Sequence, residues 1–381
     1  MKHRYLRTMT ITLGMACAEP GTCAVIEVTA NFNGTQGSAA FIDTTPKLPC
    51  SSGTCADPRT RLVDTGLIVN RNLAGDAPDN QALFGMSIPA IPRKITVTDG
   101  RNSFEVDFRI VAQGFALTGS AVTREMFVDD GMARPRGDCR ASITPTSGPL
   151  IGMWAATGER TMCSAAVKPG VVADVRQQVS LAYQLGLPSP LKIPSGNYSS
   201  EVRYAVGVGQ DFDFAGGTAS ESEVVFRLNL SVTHELRVDF GRGPSGAPID
   251  VELVPAGGWS AWPRGRVPAS VQADVPFQLS LSGPTRMYLR CKEATRCPMQ
   301  SGAGDTVSLA ISASVPGTVT GGGELGVART TLPIGETQAL TISPSGAPLR
   351  SQASVLHVST HGALRAGTHY EGEAVLVLDA D

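Results

Sequence analysis

LRAGTHYEGEAVLVLDAD, residues Leu364–Asp381, decides how the rest of the chain reads. From Tyr370 to Leu378 nearly every residue suits a pleated ribbon. Ala374, Leu376 and Leu378 fall on one face, and Val375 and Val377 on the other. A strand apolar on both faces belongs inside a sheet, with a neighbour along each margin. The 381 residues hold no later strand to serve as the second neighbour.

Composition fits that reading. Charged residues make up 17% of the chain, against about 25% in an average globular protein. Gly (42) and Pro (26) are both abundant, which points to many short strands joined by turns. Strand-like runs recur at Val25–Phe32, Lys94–Thr98, Phe104–Gln113, Val179–Tyr183, Glu201–Val208, Glu223–Val232 and His234–Phe240. They continue at Ile249–Val254, Phe277–Ser282, Met287–Cys291, Thr306–Ala313, Gln338–Ser343, Ser354–Ser359 and the terminal run. Their spacing is that of β-sandwiches. Val172, Val175, Val179 and Tyr183 also keep a helical spacing, which leaves a helix open from Val171. GTVTGGGELG (Gly317–Gly326) reads as a loop between strands.

The turn-rich GRGPSGAP (Gly241–Pro248) marks a composition break and reads as a linker. It separates a unit over residues 25–240 from one over 249–381. Both units end on Gly, then Tyr, then an alternating strand: Gly196 and Tyr198 in the first, Gly367 and Tyr370 in the second. Either glycine can take positive φ, and either tyrosine can form a tyrosine corner. The expected fold is all-β, with two immunoglobulin-like β-sandwich domains in tandem.

A net charge near −2 makes no electrostatic case for nucleic acid. Near-neighbour cysteines predict disulfides Cys50–Cys55, Cys139–Cys163 and Cys291–Cys297. Zinc is the rival reading, but no CxxC knuckle or nearby histidine supports it. Disulfides imply an oxidising compartment. Residues 1–24 read as a signal peptide, with Lys2, Arg4 and Arg7 before the weakly apolar Thr8–Ala18. Cleavage at Ala16-Cys17-Ala18 would leave Cys23 without its near neighbour, whereas cleavage after Ala24 leaves six cysteines.

Catalytic patterns are missing. The HELRVDF stretch carries Val238 where a zinc helix would need a second histidine, and no nucleophile elbow, Walker loop or dinucleotide fingerprint occurs. Asp129 and Asp130 lack a matched set for glycoside hydrolysis. The chain is expected to be no enzyme and to hold no cofactor or metal. One segment reads as a recognition surface: Phe127–Cys163, with Arg134, Arg136, Arg140, Trp154 and Arg160. Pinned by Cys139–Cys163, it could stack Trp154 on a sugar face and clamp an acidic group with arginine. The alternative is an irregular excursion with Trp154 as its private core.

Three stretches carry a family resemblance. VSLAYQLGLPSPLKIPSGNYSSEVRYAV (Val179–Val206) resembles the strand, Leu-Pro turn, Gly-x-Tyr and strand that close an adhesin domain. EVVFRLNLSVTHELRVDF (Glu223–Phe240) resembles its final strands, and AGTHYEGEAVLVLDAD resembles the last strand of a pilin domain. The chain thus resembles the two-domain tip adhesins of bacterial chaperone–usher pili, including colonisation-factor and cable-pilus initiators and the P-pilus lectin. The resemblance implies a C-terminal pilin-type sandwich lacking its seventh strand, completed by donor-strand complementation. Ala374, Leu376 and Leu378 would then line the exchange groove, or Val375 and Val377 in the opposite register. Implied partners are a periplasmic chaperone, an outer-membrane usher, the next subunit's N-terminal strand and a host-cell glycan or glycoprotein. Export to the cell surface follows. The alternatives are a structural initiator with no receptor and a secreted carbohydrate-active β-sandwich.

Overall fold

Strands form wherever apolar and polar residues alternate, because successive side chains then separate core from solvent. The computed structural model describes residues 23–50, 53–78, 80–241, 247–263 and 266–380. Their regular structure is strand apart from single 3-10 turns.

The first part holds β1 (Cys23–Asn33), β2 (Ile42–Asp43), β3 (Thr60–Ala74), β4 (Leu83–Pro89), β5 (Arg93–Thr98), β6 (Ser103–Thr118) and β7 (Cys139–Thr144). It continues with β8 (Leu150–Ala156), β9 (Arg160–Ala166), β10 (Val172–Gly186), β11 (Gly196–Ala205), β12 (Thr218–Ala219) and β13 (Glu223–Thr233). The main sheet runs β12-β3-β10-β6-β5-β11-β13-β1-β2, with β8 and β7 branching from β6, while β4 and β9 form a separate ribbon. β1 lies parallel to β13 along its whole length. Its Ala24, Ile26, Val28, Ala30 and Phe32 are all buried in one large core with Phe108, Tyr183, Tyr204 and Phe226.

The second part holds β14 (Leu236–Asp239), β15 (Gln272–Leu281), β16 (Thr285–Cys291), β17 (Cys297–Ser301) and β18 (Thr306–Thr320). Then come β19 (Leu325–Thr331), β20 (Leu340–Pro344), β21 (Leu349–His361), β22 (Tyr370–Gly372) and β23 (Ala374–Ala380). Its order is β14-β15-β21-β18-β20-β16-β23 around a separate core that includes Phe277, Leu279, Leu289 and Ile342. The all-β, tandem-sandwich expectation holds.

Several local expectations change. The stretch after Val171 is strand, β10, not helix, because Ala173, Val175, Val179 and Leu181 are buried at period two. Ile249–Val254 is not a strand; between Pro248 and Pro255 only Val254 pairs, with Gln272. Phe127–Cys163 is no irregular loop but contains the β7–β8 hairpin and the start of β9. Gly196 lies within β11 and does not take positive φ, whereas Gly367 does, at 69°. The run His234–Phe240 yields β14, which pairs with β15, so the change of sheet falls before Leu236. Residues 242–246 of the expected linker, and residues 1–22 of the expected leader with Cys17, lie outside the described residues, while Cys23 and Ala24 at the end of that leader begin β1.

The two parts meet closely. His234 sets its ring edge-on to Phe32 at 5.3 Å and bonds the Ile193 carbonyl at 2.7 Å through Nε2. Ser282 Oγ accepts from the Glu235 amide at 2.7 Å, and a Cβ on Gly34 would lie 1.9 Å from that oxygen. Arg350 reaches across to the Thr35 carbonyl.

Candidate functional site

The terminal strand has one partner. β23 pairs antiparallel with β16 from Ala374↔Cys291 to Ala380↔Thr285, and its other margin has no partner among the described residues. Just before it, β22 pairs with β17, which Cys291–Cys297 ties to β16. Ala374, Leu376 and Leu378 pack against the second core yet stay only half-buried. Val375 and Val377 face outward, with Val375 44% exposed. β14, at the opposite end of the sheet path, behaves alike: Leu236, Val238 and the following Phe240 are half-buried against the same core. Two edge strands therefore present apolar side chains that the chain itself leaves partly wet. The contrast with β1, whose inward residues are fully covered, is local and large.

The three expected disulfides are formed, with Cα separations of 5.8, 5.9 and 5.0 Å. The arginine segment is held as expected, but its tryptophan is not on the surface. Trp154 is fully buried, donates Nε1–H to the Met132 carbonyl at 2.9 Å, and packs edge-on against Phe84 and Phe115. No ring face is left to stack on a sugar. Arg134, Arg136, Arg140 and Arg160 are exposed. They engage separate partners: the Arg136 backbone bridges Ser164, and Arg160 donates to the Gln210 carbonyl at 2.9 Å. None of the five lines a cleft described below.

A different region offers a concave polar surface. Adjoining clefts of about 530 and 340 Å³ share Arg71, Asn72, Gln81 and Gly216. The larger also takes in Asn70, Thr118, Asp174, Arg176 and Thr218. Sheet register assembles them, since Thr218 lies opposite Asn70, Asn70 opposite Arg176, and Arg176 opposite Thr118. Beneath lies Arg71, an arginine on the inward phase of β3, 7% exposed. It donates to Gln177 Oε1 at 2.7 Å and stands 4.5 Å from the centre of the Phe84 ring, with no carboxylate partner among the described residues. Burial lowers its pKa to about 10, so it stays cationic at neutral pH. Arg71 Nε and the neighbouring Gln177 Nε2 are buried without hydrogen-bond partners among the described residues. Gly217 lets the chain close over this arginine: a Cβ there would sit 2.6 Å from Val69 Cγ1.

One constellation invites a catalytic reading. His357 bonds Asp274 at 2.6 Å through Nδ1 and Ser314 at 2.9 Å through Nε2. The three sit on adjacent strands, Asp274 is 62% exposed, and the Ser314 hydroxyl already accepts the Arg329 amide. Triad carboxylates are buried and their nucleophiles open into a pocket. This is a cross-strand polar ladder.

No family model and no curated protein sequence matches the chain. Among solved structures it is similar to a chain of the chaperone–tip adhesin complex described as vital for activation of CFA/I fimbriae biogenesis. That match has 10% identity and a TM-score of 0.29, covering 96% of this chain and 99% of the other. It is also similar to a chain of the CsuC–CsuE chaperone–tip adhesion subunit complex from archaic chaperone–usher Csu pili of Acinetobacter baumannii. There the identity is 9% and the TM-score 0.24, covering 94% and 99%. Scores this low say nothing of what this chain binds; its own geometry has to.

Proposed function

We propose that the chain is a tip subunit of a chaperone–usher pilus. The first sandwich presents a receptor-binding surface. The second docks to the shaft by accepting a strand from the next subunit, after a periplasmic chaperone has filled the same place and an usher has handled the exchange. The observation that carries this reading is β23, an apolar strand paired on one margin and half-buried over its own core.

The strand order supports it. An immunoglobulin constant-type sandwich sets strands A, B, E and D in one sheet and C, F and G in the other. Here β14-β15-β21-β18 follow the A-B-E-D order and β16–β23 the C–F pair. A strand in the G place, beside β23, has no counterpart among the described residues. Filling about four or five apolar pockets at about 1.5–3 kcal/mol each would contribute roughly 6–15 kcal/mol. That equals a whole domain's net stability. β1 fits the end position in a fibre, because its alternating apolar face is spent on its own sandwich instead of a neighbour's.

The test is to append an alternating apolar strand to the C-terminus through a Gly/Ser linker and compare thermal unfolding. Tm should rise by at least about 10 °C and aggregation should fall. An unchanged Tm, with a monodisperse chain in both forms, would overturn it.

A further inference from the structure

We propose that the cleft across β12, β3, β10 and β6 is the receptor site, and that it takes an acidic saccharide: a sugar bearing a carboxylate or sulfate. This rests on reading the first sandwich as the receptor-binding unit.

Charge sets the first half of the inference. The ionisable lining is Arg71, Arg176 and Asp174. Arg176 is exposed and forms no ion pair among the described residues, so its planar fork of donors is open to an incoming oxyanion. Arg71 lies below, a desolvated cation balanced among the described residues by Gln177, the Gly85 carbonyl and the Phe84 ring. A buried charge without a counter-ion is costly, and an anion seated above it offsets that cost.

The neutral lining sets the second half. Asn70, Asn72, Gln81, Thr118 and Thr218 ring the two arginines, and no aromatic side chain lines either cleft. A ligand here is recognised by hydrogen bonds and charge, without ring stacking. Amides and hydroxyls suit a polyhydroxylated molecule, and Asp174, opposite Asn72, can accept from sugar hydroxyls but not from the anionic group. A simple inorganic anion would leave most of these groups idle. Because strands lie about 4.8 Å apart, the row from Thr218 to Thr118 spans roughly 14 Å, wide enough for a short oligosaccharide.

The experiment titrates the full chain with sialyllactose, a sulfated lactose and plain lactose, using wild type, Arg176→Gln, Asn72→Ala and Arg140→Gln. The acidic sugars are expected to bind about tenfold or more tightly than lactose. Arg176→Gln should remove that advantage at unchanged Tm, because a charge-assisted hydrogen bond carries about a ten- to hundredfold effect. Asn72→Ala should weaken all three sugars, and Arg140→Gln should change nothing. Whichever acidic sugar binds more tightly identifies the anionic group. Acidic binding that survives Arg176→Gln but not Arg140→Gln overturns the cleft and leaves the receptor reading intact. Lactose binding as tightly as the acidic forms also overturns it. Silence on all three overturns the cleft as well, and adhesion of chain-coated beads to cells then judges the receptor reading separately.

Discussion

Replacing Trp154 by Phe removes the buried donor that satisfies the Met132 carbonyl, so stability should fall by about 1–3 kcal/mol while saccharide binding is unchanged. Urea unfolding and a binding isotherm on the same sample check this; lost binding in a stable variant would return Trp154 to the receptor surface. His234 makes a pH prediction. Burial holds its pKa below the ordinary 6.5, against the opposing pull of its hydrogen bond to Ile193. As pH falls, the unfolded chain therefore takes up the proton first. The contribution is full above 6.5 and is lost as pH drops below it towards the folded value. The urea midpoint should decline from about pH 7 to about pH 5 in wild type, and less in His234→Gln.

At the scale of elements, β23 is half a core strand. In the chain alone, Leu376→Asp should cost only about 1 kcal/mol, since Leu376 is already partly wet. In the chain with the appended strand it should abolish most of the gain in Tm, because the residue then lies under the donor; equal effects in both backgrounds would contradict the groove. This strand was legible because its alternation is apolar on both faces, and β1 and β13 were legible because theirs is apolar on one. β3 was missed because Asp64-Thr65-Gly66 breaks the pattern with a bulge, Gly66 taking φ 70°, and the register to β10 slips there. β7 to β9 hid in small residues, Gly and Pro. The cleft was illegible as a motif because its residues come from separate strands and meet only through register. One signal did stand in the sequence: in LIVNRNLA, Leu67, Val69, Arg71 and Leu73 share the inward phase, so an arginine stands where an apolar residue belongs.

At the scale of the molecule, the first sandwich is closed by its own N-terminal strand and the second is left with two wet apolar edges. His234 and Arg350 bridge the junction between them, so the two parts are expected to unfold together. Gly34→Ala would push a methyl to 1.9 Å from Ser282 Oγ, and calorimetry should then show one cooperative transition dividing into two. A single transition at the wild-type Tm would mean that the contact is dispensable. The margin of β23 facing away from β16 is unpaired among the described residues, and amide hydrogen exchange over Ala374–Ala380 measures it directly. Alternate amides, those pointing away from β16, should exchange at the rate of unstructured chain and become protected when a donor strand is supplied. Protection of every amide in the strand without a donor would contradict the account.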